Sequence, residues 1–97
     1  MDILKLKKPI KIDGEEKAEI EYDFEELTGN DVDNVVRELQ NNGIMITTLE
    51  FDTTYHAAIF AKAAGIAYED VKRFSAKDFT KAATLARNFF LADLAEE

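Results

Sequence analysis

Residues 4–24 read LKLKKPIKIDGEEKAEIEYDF, and their alternation decides how the chain begins to fold. Leu4, Leu6, Ile10 and Ile12 fall at even positions, and after Asp13-Gly14 so do Ala18, Ile20, Tyr22 and Phe24. Period-two alternation on both sides of an Asp-Gly pair predicts a β-hairpin with one apolar face. A two-residue loop would set even positions against odd ones, opposing an apolar face to a charged one. The preferred reading is therefore an odd loop, Ile12-Asp13-Gly14, with Gly14 in the left-handed bulge conformation. That register pairs Lys5 with Glu21, Lys7 with Glu19 and Lys11 with Glu15, and on the other face Leu4 with Tyr22 and Leu6 with Ile20. A five-residue loop, which sets Ile10 against Ile20, is the alternative. Pro9 has no amide to donate to a ladder, which predicts an edge or bulged strand. Lys5, Lys7, Lys8 and Lys11 read as a solvated face paired across the strands, not as a nucleic-acid site.

The composition bounds what can follow the hairpin. At 97 residues and 11.0 kDa, the chain is expected to form a single domain over 1–97, burying roughly 60–70% of its unfolded surface. An apolar share of 46% with 33% charged residues and one proline fits a folded, helix-rich protein. The absence of cysteine excludes disulfide scaffolds and thiolate metal sites. No apolar run follows Met1, and none approaches the roughly 18 residues that a membrane span needs. A soluble protein without a membrane partner is therefore expected. A net charge of −8 and a pI near 4.6 repel phosphate polyanions, so nucleic acid is not an expected partner either.

Beyond the hairpin the pattern turns helical, giving an α+β fold: an N-terminal β-hairpin packed on three to four α-helices, with a third short strand left open. LTGNDVDNVVRELQNNG (27–43) offers Thr28 or Asn30 as N-cap, an apolar stripe of Val32, Val35, Val36 and Leu39, and Gly43 as a stop. IMITTLEF (44–51) is either the third strand or a buried connector. Asp52 is placed to cap TTYHAAIFAKAA (53–64), which ends at Gly65 and has no broad polar face, as a central helix would. After the short turn YEDVKRF (68–74), Ser75 with Asp78 three positions on forms a variant capping box for the last helix.

Candidate chemistry along the chain is weak. His56, the single histidine, lies on the alanine-rich helix and reads as a packed or surface side chain rather than a ligand or base. Asp31 and Asp33 resemble the start of a calcium loop but lack its glycine and terminal glutamate, and read as acids favoured at a helix start. Ser75 sits in RFSAK, not in the Asp-Ser-Leu setting of an acyl carrier protein. Gly14, Gly29, Gly43 and Gly65 are scattered and form no phosphate-gripping loop. No catalytic residue, metal or cofactor is assigned, and an enzyme is not expected.

The final helix carries more apolar surface than a single core contact needs. On a helical wheel Phe79, Ala82, Ala83, Leu85, Ala86, Phe89, Phe90 and Leu94 fill about half the circumference, against the ~100° that suffices for one packed face. Phe79, Ala83 and Phe90 lie on one side of that arc. Leu85 and Phe89 lie on the other, beside Asp78, a charge more easily kept at a solvent-facing rim. The expectation is that the first group is core, while Leu85, Phe89 and Asp78 form a partner-binding surface of the helix-in-groove kind.

Four stretches taken in order, LKKPIKIDG (6–14), DFEELTGND (23–31), DTTYHAAIFAKAAGI (52–66) and EDVKRFSAKDFTKAATLARNFFL (69–91), resemble the tail assembly chaperones of long-tailed bacteriophages. The likeness is strongest to the group in Mu-like contractile-tailed phages and related prophages, and covers Leu4 to Leu91. It implies a non-enzymatic morphogenesis factor of the bacterial host cytoplasm. Such a factor binds the tape-measure protein, keeps it soluble, promotes assembly of tail tube protein around it, and is absent from the mature virion. It also implies a longer, frameshifted form in many members, and leaves self-association open. Two other classes stand beside it: a structural tail or head-completion subunit retained in the particle, and an acidic nucleic-acid mimic, which would need its acids on one continuous face.

Overall fold

The computed structural model describes residues 1–45 and 52–95. Strands β1 (Asp2–Ile12) and β2 (Glu15–Tyr22) form an antiparallel hairpin. A single 3-10 turn, Phe24–Glu26, leads to α1 (Gly29–Asn41), followed by α2 (Thr53–Ala64), the short α3 (Tyr68–Lys72) and α4 (Ala76–Ala95). The hairpin and helix order match the α+β expectation. Most of IMITTLEF lies outside the described residues, and so does the question of a third strand there.

The hairpin solves its parity problem differently from the odd loop that alternation suggested. Ile12 pairs with Glu15, so the loop is Asp13-Gly14, with φ of 52° and 83°. Positive φ at both central residues is what a type I′ hairpin turn demands. Lys5 pairs with Glu19, whereas Ile10 pairs with Lys17; β1 therefore places Leu6, Lys7, Lys8 and Pro9 against Ala18 alone. This wide bulge shifts the register by an odd number of residues and brings Leu4 opposite Ile20, both buried. The expected pairs Lys5–Glu21, Lys7–Glu19 and Lys11–Glu15 are thus replaced by Lys5–Glu19 and Lys11–Glu16, with Lys7 inside the bulge and without a ladder partner. Pro9 falls inside the bulge, where its missing amide costs no ladder bond.

α2 is the centre of the molecule. Every residue from Tyr55 to Ala61 is buried, because the hairpin, α1, α3 and α4 all pack around it. Phe60 anchors an aromatic cluster, with ring centroids 5.0 Å from Tyr22, 6.3 Å from Phe24 and 6.4 Å from Phe74. Asp52 caps the helix, accepting from the Tyr55 amide at 2.7 Å, and Gly65 ends it at φ 70°. The Ile66 amide then bonds the Ala61 carbonyl at 3.0 Å, closing the turn. Of the two N-caps that the sequence offered, Thr28 rather than Asn30 begins α1, in a capping box reciprocated by Asp31. Val35 and Leu39 are the buried part of its stripe.

Candidate docking surface on the terminal helix

α4 packs on α2 through alanine. Ala82, Ala83 and Ala86 of α4 are buried, and α2 is the element that α4 packs on most extensively; small side chains of this kind let two helix backbones approach closely. The larger residues of the arc, Phe79, Leu85, Phe89 and Phe90, are half-buried and pack against the core. Phe89 stacks on Phe24 with centroids 5.2 Å apart, and Phe90 lies 6.4 Å from the His56 ring. The expected split into a core side and a surface side is therefore corrected: the fully buried residues of the arc are alanines, and Phe79, Phe90, Leu85 and Phe89 all touch the core with part of their area. Leu94, also on the apolar arc, has no described side chain.

Asp78 overturns a second expectation. It is 1% exposed, not a solvent-facing rim residue. Its carboxylate accepts the Lys7 amide at 3.0 and 2.9 Å and the Lys8 amide at 3.2 Å. These are two amides that the bulge frees from the ladder, so one side chain of α4 satisfies the backbone of β1. Burial alone would raise the Asp78 pKa, but the hydrogen bonds from Lys7, Lys8 and the Ser75 hydroxyl outweigh it and hold the carboxyl below its ordinary value. Ser75 in turn caps the helix by accepting the Asp78 amide at 3.2 Å. The capping box is thus half-formed, its acid redirected to the hairpin. Breaks in alternation at Lys7-Lys8 and at Pro9 were the sequence signals for this bulge.

The other residues of chemical interest take structural places. Asp31 is occupied in the α1 cap, and Asp33 pairs with Arg37 at 2.7 Å. His56 is 3% exposed, and burial lowers its pKa, opposed by a hydrogen bond with the Asp52 backbone. Among the described residues no group of His, Asp or Glu side chains is arranged to hold a metal ion, and no helix is long and apolar enough to cross a membrane. A cleft of about 290 Å³ between α1, α2 and α3 is lined by Val35, Leu39, Ala61 and Tyr68 with Glu38 and Lys62 among its polar residues.

Among the polar side chains singled out by the sequence, Asp31, Asp33, Asp52 and Asp78 thus serve helix caps, the hairpin bulge and a surface ion pair. The chain belongs to the family described as phage tail assembly chaperone proteins, E, or 41 or 14, whose model matches residues 4–91. No curated protein and no solved structure matches it.

Proposed function

We propose that this tail assembly chaperone binds the tape-measure protein, keeps it soluble and promotes assembly of tail tube protein around it. It acts without catalysis or cofactor, works in the cytoplasm of the bacterial host and leaves before the virion is complete. Family membership supports the reading, and the observation that carries it to a surface is the half-buried apolar flank of α4, Leu85 with Phe89. An elongated helical client would bury the rest of that area. Asp78 is left out of the contact surface because it is buried.

Co-expression with the tape-measure protein tests the reading. The wild-type chain is expected to hold the client in the soluble fraction and co-purify with it, and Leu85→Asp is expected to lose it while retaining the fold. Mass spectrometry of purified virions is expected to find no copy of the chain. Its presence in stoichiometric amount would make it a structural subunit instead.

A further inference from the structure

The seam between the hairpin bulge and α4 carries cations that the observed register leaves without cross-strand partners. Lys7 and Lys8 are exposed and lie in the bulge, and their amides rest on Asp78, so both flank the first turn of α4. Lys77 precedes Asp78 and Lys81 lies one turn further, both exposed. None of the four forms a salt bridge among the described residues. Asp78, the carboxylate that the described residues place in this seam, is buried and offsets only one of the four charges. A cation in the first turn is opposed by the helix dipole, so Lys77 is not there to stabilise α4. Positions 77, 81, 85 and 89 also form one i+4 ridge: lysine, lysine, leucine, phenylalanine.

We infer that this ridge, with Lys7 and Lys8 beside its basic half, docks an amphipathic helical segment of a partner protein. The apolar residues of that segment meet Leu85 and Phe89, and its acidic residues meet the lysines. On a chain of net charge −8 a local cationic ridge attracts an acidic protein segment. The acids elsewhere oppose a phosphate polyanion, which would have to approach all of them. The identity of the partner rests on the tape-measure reading; the acidic chemistry of its docking segment does not.

The test compares wild type with Lys77→Glu/Lys81→Glu and with Lys7→Gln/Lys8→Gln, each verified by an unchanged melting temperature; the neutral pair covers the case in which reversal disturbs the fold. Two probes are used: the tape-measure protein, and a designed helical peptide with a leucine stripe and glutamates beside it, paired with its glutamine analogue. Wild type is expected to prefer the glutamate peptide, to weaken as salt rises from about 0.05 to 0.5 M, and to lose at least about tenfold in affinity in either variant. Equal affinity for the two peptides, or folded variants that bind like wild type, would overturn the inference. Tighter lysine-dependent binding of duplex DNA or anionic vesicles than of the glutamate peptide would overturn it too. If wild type ignores the tape-measure protein but discriminates between the peptides, the ridge stands and the functional reading falls.

Discussion

Asp78 ties the two ends of the fold together with hydrogen bonds to backbone amides 70 and 71 residues away. Asp78→Asn replaces a carboxylate oxygen with an amide that donates, setting donor against donor. The expected cost is about 1.5–3 kcal/mol, the range for hydrogen bonds to a charged group, read from denaturant midpoints. The pH dependence has a definite sign. Because folding depresses this pKa, the contribution is complete above the unfolded value of 3.8 and is lost as pH falls through the folded value. Asp78→Asn is therefore expected to remove part of the acid-induced loss of stability below about pH 4. His56 gives a second window. Its folded pKa is lowered, so the unfolded chain takes up the proton first, and stability declines as pH falls below 6.5 until the folded value is passed. With no other histidine in the chain, His56→Phe is expected to flatten the melting temperature between pH 7 and 5.

At the scale of elements, the helices were legible because their caps are local. Thr28, Asp52 and Gly65 each act within a few residues of themselves, so the sequence window that names them also contains their partners. The hairpin tip was legible as Asp-Gly but the register was not, because the bulge is stabilised from α4, far away in sequence. A double-mutant cycle on Lys5 and Glu19 is expected to show a coupling of about 0.2–1 kcal/mol, and one on Lys7 and Glu19 none. The reverse result would restore the odd-loop register. Gly14→Ala forces a side chain into φ 83° and is expected to cost about 1–2 kcal/mol in thermal unfolding. For the candidate surface, periodicity found the apolar arc of α4 but not its division, since a wheel carries no information on what Phe24 offers to Phe89.

Across the whole molecule, cohesion comes from α2 and its aromatic cluster. Phe60 is fully buried and meets rings from β2, the 3-10 turn and the segment before α4, so Phe60→Ala is expected to cost about 3–5 kcal/mol. Phe90→Ala, half-buried, is expected to cost less; the order of the two midpoints in urea checks this. The acids, too, are distributed in a way that bears on function. Exposed Glu15, Glu19 and Glu21 lie on the hairpin and exposed Asp33 and Glu38 on α1, while exposed Lys77 and Lys81 lie on α4, so among the described residues the charges of both signs are spread over several elements.

The bond from Lys7 and Lys8 to Asp78 also sets an order in time. Ribosomes add about 5–20 residues per second, so the 70 residues between Lys8 and Asp78 take several seconds to appear. A hairpin can form within about 1–10 μs, yet a lone two-stranded hairpin is marginal in water. Throughout synthesis of the middle of the chain the bulge amides lack the carboxylate that later accepts them, so the hairpin is expected to open and close. The register is expected to lock only once the helix bearing Asp78 has been made, so the first element of the chain waits on one made much later.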